Sequence, residues 1–93
     1  MKRGEILDRA KGLVTEAREV EHGDPNKVYS DVARLWEAYT GCDFNAGDVY
    51  MMLVMMKMCR LRTNPDNWVD IAGYAALAGE FYGANGVCPL EPS

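Results

Sequence analysis

Residues 45–62 read NAGDVYMMLVMMKMCRLR. Asn45 opens the stretch and Asp48 stands three residues on, the spacing of a helix N-cap closed by a capping-box acid. Apolar side chains follow on nearly every face of a 3.6-residue helix. Val49, Met52, Leu53, Met56 and Cys59 make one side, and Met51, Val54, Met55 and Met58 fill much of the rest. The spacing predicts a helix over about 46–62, central to the fold or shared between a core and a subunit interface. Lys57 and Arg60 interrupt it, three apart and so on one face.

Downstream, Asn64-Pro65 is a cap followed by a first-turn proline, which predicts a helix over about 65–82 that stops at Gly83. Its apolar set is Trp68, Ile71, Ala72, Ala75, Ala76, Ala78, Gly79 and Phe81, with small residues that admit close backbones. Upstream, Gly23-Asp24-Pro25 punctuates the chain, and Val28, Val32, Leu35, Trp36 and Tyr39 predict an amphipathic helix over about 25–40, ended by Gly41. Before it, Ile6, Leu7, Ala10, Leu13, Val14, Ala17 and Val20 make a stripe on a helix over about 4–21. No strand-like alternation occurs. The expected fold class is all-α: a small four-helix bundle, domain 1–83, with an irregular tail at 84–93. Connections of a few residues favour antiparallel neighbours in up-down order. The core is thin and the central helix has apolar surface to spare, so a symmetric homo-oligomer is expected.

Composition narrows the function. The 93 residues carry a formal net charge of −4, which argues against a duplex-DNA binder working by phosphate neutralisation. The longest weakly charged run, 49–56, is far short of the roughly 20 residues of a membrane span, so no membrane partner is expected. Three cysteines without a C-x-x-C pair, and a start without a signal-peptide pattern, fit a reducing cytoplasm rather than a disulfide framework or a zinc site.

One cluster holds chemical interest. Asp66, Asp70 and Tyr74 are spaced four apart, and the turn at 63–65 brings them towards Lys57 and Arg60. Charges interrupting an apolar helix need a partner or a ligand. They form an interhelical ion-pair network, two carboxylates around Mg²⁺, or two cations gripping a phosphate. Around Asp24, Arg18 and His22 flank a helix start that offers a weaker anion site. Trp36 and Tyr74 are aromatic candidates for stacking on a base.

These residues also resemble a family of small bacteriophage helical proteins. Arg18…His22-Gly23-Asp24-Pro25, Ala33-Arg34-Leu35-Trp36, Asp48-Val49, Lys57…Arg60-Leu61 and Asp66-Asn67-Trp68-Val69-Asp70-Ile71-Ala72-Gly73-Tyr74 follow its pattern R-x-x-x-Y-G-D/E-P, A-x-L-W, D-V, K-x-x-R-L and D-x-W-V-D-I-A-G-Y over about 6–80, with His22 in place of the tyrosine. The last segment is distantly similar to MazG-like all-α nucleotide pyrophosphohydrolases, where an acidic pair matched by Asp66 and Asp70 helps hold Mg²⁺. Those enzymes add an E-x-x-E pair on an earlier helix. Only Glu16 and Glu19 have that spacing here.

In size and helicity the chain further resembles small phage proteins that sequester cyclic nucleotide signals of host defence. The expectation is therefore a nucleotide-binding protein, without catalysis or cofactor, using Lys57, Arg60, Asp66, Asp70, Tyr74, Trp36, Arg18 and His22. The alternative is a Mg²⁺-dependent nucleoside triphosphate pyrophosphohydrolase with Asp48, Asp66 and Asp70 as metal ligands. A second alternative is a structural or protein-interaction module.

Overall fold

The computed structural model describes residues 1–15 and 23–85. Among the described residues four helices form and there is no strand: α1 (Arg3–Val14), α2 (Pro25–Thr40), α3 (Ala46–Met58) and α4 (Asp66–Asn85). The all-helical bundle matches expectation, and the bounds of α2 coincide with the predicted ones.

The ends of the helices follow local chemistry. The Asp24 carboxylate accepts from the Asn26 amide at 3.0 Å and Pro25 opens α2. Gly41 takes φ 75° and donates its N–H to the Glu37 carbonyl, closing the helix with a left-handed residue. Asn45 and Asp48 make the reciprocal capping box. Asn64 accepts from the Asp66 amide at 2.8 Å and starts α4.

Three bounds differ from the reading of the sequence. α1 ends at Val14 because Thr15 is extended, and the rest of the predicted segment lies outside the described residues. α3 gives way after Met58 to tight turns, in which the Arg60 amide donates to the Lys57 carbonyl and the Thr63 amide to the Arg60 carbonyl. The Arg60 carbonyl also accepts from the Thr63 hydroxyl and the Asn67 side chain, so no helical partner is required. α4 runs through Gly83 to Asn85, and residues 86–93 of the expected tail lie outside the described part.

The topology departs from a simple up-down bundle. Gly47, at the start of α3, meets Phe81 and Tyr82 near the end of α4, while Lys57 at its other end meets Asp70. α3 and α4 are therefore antiparallel. Arg9 pairs with Asp66, and Val14 lies against Gly73, so α1 runs parallel to α4, not antiparallel to it. The link at 41–45 doubles back along α2: the Phe44 amide donates to Glu37, and its carbonyl accepts from Arg34. Hydrogen bonds from Phe44 and Arg34 hold the Glu37 carboxyl below its usual range. Tyr50, one turn into α3, consequently reaches Asn26 in the first turn of α2.

Buried Ala46, Tyr50 and Ala78 centre the core, with Tyr29, Tyr74, Leu77, Phe81 and Tyr82 packed around them. The inward face of α3 is Ala46, Val49, Tyr50 and Val54; Met52 and Met56, grouped with Val49 by their spacing, are exposed. α2 is likewise rotated. Ala33 is fully buried, whereas Leu35 and Tyr39 of the predicted stripe are 71% and 92% exposed.

Gly47 is the most closely packed of the described glycines. A Cβ there would stand 2.7–2.9 Å from ring atoms of Phe81 and Tyr82. Rings packed edge-to-face at 5.6 Å have little room to yield. Gly47→Ala is expected to cost about 1–3 kcal/mol by overpacking. Urea unfolding measures this as a lower midpoint; an unchanged midpoint would contradict the packing described.

Candidate functional site: a cleft between α1, α2 and α4

A cleft of about 350 Å³ opens where three helices diverge. Leu13 and Val14 from the end of α1 form one wall, and Gly23, Pro25, Val28 and Tyr29 around the start of α2 form a second. Asp70, Gly73, Tyr74 and Leu77 on α4 form the third. The spacing of these α4 residues is that of one helix face, as the sequence indicated for Asp70 and Tyr74. Gly73 lets Val14 approach closely: its absent Cβ would be 3.3 Å from Val14 Cγ1.

Among the described residues the polar groups of the cleft are few. Tyr29 meets Tyr74 edge-to-face, with ring centroids 6.4 Å apart and planes at 88°. Burial, then a hydrogen bond with Tyr29 and the nearby charge of Asp70, pushes the Tyr74 phenol up to about 12. Tyr29 also packs at 5.2 Å on Tyr50, whose hydroxyl donates to Asn26 Oδ1 at 2.7 Å. Burial raises the Tyr50 phenol as well, with Asp24 a smaller cause. Among the described residues Asp70 is the carboxylate of the wall. Lys57 Nζ lies 3.0 Å from its Oδ2, and the two side chains keep only 18% and 29% of their surface exposed.

The structure brings Lys57, Asp70 and Tyr74 together at this cleft and distributes the other candidates. Asp66 pairs with Arg9 of α1 at 3.1 Å. Arg60 is exposed on the turn after α3, within one helical turn of Asp70 through the bond between its carbonyl and Asn67. Trp36 packs edge-to-face on Phe44 near the far end of α2, away from the cleft. Arg18 and His22 lie outside the described residues, as do Glu16 and Glu19.

Asp48 sits at the opposite end of α3, where it accepts from the Asn45 amide and the Tyr82 hydroxyl. It is about 13 Å of helix away from Lys57, by 1.5 Å per residue. The carboxylates of Asp48, Asp66 and Asp70 are not gathered into one ligand set, and no group of three or more metal-ligating side chains occurs among the described residues.

Sequence reasoning missed Arg9 and Tyr29. Arg9 is on the polar face of α1, and nothing local links it to Asp66. Tyr29 did carry a signal: Asn26, Tyr29 and Ala33 share a helix face at i, i+3 and i+7, beside the greasier stripe that drew attention.

Fold and site together define a small all-helical protein with a polar-tipped, apolar-walled cleft. The chain belongs to the family described as Domain of unknown function (DUF6378), whose profile matches residues 5–82. It is also similar to the Gene 55 protein of Mycobacterium phage D29, 29% identical over 80 residues that cover 83% of this chain and 53% of that protein. The chain thus spans about half the length of the curated relative it matches. The resemblance to bacteriophage proteins is supported by this relative; neither match is to a MazG-like pyrophosphohydrolase. No solved structure matches. Among the described residues no helix is long and apolar enough to cross a membrane.

The raised tyrosine predicts an alkaline limit. A phenol that ionises near 10 in the unfolded chain and near 12 when folded favours folding fully below pH 10. That contribution is lost as pH rises from about 10 through about 12. Urea midpoints measured from pH 9 to 12 should fall, and Tyr74→Phe should flatten the fall. Tyr50, shifted in the same direction, sustains the remainder.

Proposed function

We propose that this chain is a phage-type nucleotide-binding protein that holds its ligand without turning it over. The observation that carries the reading is the cleft. Its 350 Å³ lies near the lower end of the roughly 300–1,000 Å³ usual for small-molecule pockets. That suits one nucleoside-sized body and is small for a whole cyclic oligonucleotide. Apolar walls and two tyrosines suit a flat ring, and one carboxylate suits its polar edge. The cleft wall carries no cation among the described residues, so the phosphates would project outwards, and exposed Arg60 is the cation assigned to meet them.

The same arrangement weighs against hydrolysis through the three aspartates. Asp48 is engaged by Tyr82, Asp66 by Arg9 and Asp70 by Lys57, each in a different place. Self-assembly belongs to the same reading: Leu35, Tyr39 and Met55 are large apolar side chains left exposed.

A panel of ribo- and deoxynucleotides and cyclic dinucleotides with Mg²⁺ tests this. A mononucleotide at 100 times its Kd should raise Tm by about 14 °C, and chromatography after denaturation should recover it intact. Arg60→Ala should weaken nucleotides but leave nucleosides unchanged. Pyrophosphate release abolished by Asp70→Ala would replace the reading with a hydrolase. If no nucleotide shifts Tm, the interaction module stands instead.

A further inference from the structure

The polar chemistry of the cleft is narrower than nucleotide binding requires. Asp70 presents acceptors only when ionised. Lys57 Nζ at 3.0 Å from Oδ2 holds the carboxylate plane in place and neutralises its charge. Each carboxylate oxygen has two lone-pair sites, so Oδ1 and the second site on Oδ2 can serve a ligand side by side. Beside them the walls are apolar: Val14, Val28 and Leu77, with the Tyr29 and Tyr74 rings set edge-to-face. A partner that satisfies this wall is flat, enters the space edge first, and carries two adjacent N–H donors.

Resting on the nucleoside reading above, we infer that the cleft selects guanine, with Asp70 as the residue that determines specificity. Guanine offers N1–H and the N2 amino group together on one edge, and both point at a bidentate acceptor. Adenine and cytosine each offer one amino donor next to a ring nitrogen that is itself an acceptor and faces the carboxylate unfavourably. Uracil has a single N–H between two carbonyls. The discrimination follows from the rule that an unmatched buried polar group loses its hydration without a substitute. Lys57 acts through Asp70 as a positioning residue, since a carboxylate free to rotate would accept one donor at a time.

The test compares guanosine, inosine, adenosine, cytidine and uridine by calorimetry on the unmodified protein. Guanosine should bind at least about fivefold more tightly than each of the others, the low end for a bidentate contact. Inosine is the informative partner, because it keeps N1–H and lacks the N2 amino group. Asp70→Asn turns one acceptor into a donor and should abolish the preference for guanosine while leaving the fold, checked by circular dichroism, intact. Lys57→Met should reduce the guanosine-to-inosine ratio and leave adenosine affinity unchanged.

Guanosine binding no better than inosine and adenosine overturns the guanine assignment and leaves the nucleoside reading standing. Binding of none of the five overturns both. Agmatine, whose guanidinium also offers paired N–H donors, is a further arm. If it binds as well as guanosine, the cleft recognises a cation and not a base. The wild-type comparison needs no variant, so an Asp70→Asn chain that fails to fold does not protect the inference.

Discussion

The fold turns on a phenol that has no access to water. Tyr50 is fully buried where α2, α3 and α4 meet, and an unpaired hydroxyl there would cost about 1–3 kcal/mol. Asn26 relieves it with a 2.7 Å bond from the first turn of α2. That single requirement pins the start of α2 across α3. It is the reason the link at 41–45 must double back, and the bonds of Phe44 to Arg34 and Glu37 hold the reversal. With α2 so placed, Tyr29 lands between Tyr50 and Tyr74, and its other side becomes a wall of the cleft.

The charged residues of the central region are resolved by geometry into separate pairs. A carboxylate cannot serve two distant cations, and α1, arriving parallel to α4, brings Arg9 to Asp66. Lys57 pairs with Asp70. Partial burial makes this pair more than a solvated surface contact, yet Asp70 still faces the open space between the helices. The result is an acidic tip on an apolar hollow, which is a different chemistry from a phosphate grip. Among the described residues no cation lines the hollow, and Lys57 grips the carboxylate and sets its orientation.

Much of the local structure could be read directly. Caps at Asp24, Asn45 and Asn64 and the stop at Gly41 are short-range hydrogen-bond and φ preferences, carried by the residues themselves. The alignment of Asp70 with Tyr74 follows from helical spacing alone. The facing surfaces were harder. In α3 eight of thirteen residues are Met, Val or Leu, so periodicity had no contrast with which to distinguish an inward Val49 from an outward Met52. In α2 the more hydrophobic stripe is only partly covered, with Leu35 and Tyr39 left outside, because packing there is governed by the small Ala33 and by the polar end of Asn26.

The sequence by itself determined that the chain is helical, where most of its helices start and stop, and which acids and aromatics share a face. These depend on neighbours within about four residues. Tertiary structure alone decided the crossing of α2, the parallel run of α1 along α4, and so which cation meets which acid and where a hollow remains. Those depend on contacts between residues such as Arg9 and Asp66, or Asn26 and Tyr50, whose separation along the chain leaves no periodic trace. Their pairing is set by volume and hydrogen-bond satisfaction in the assembled core.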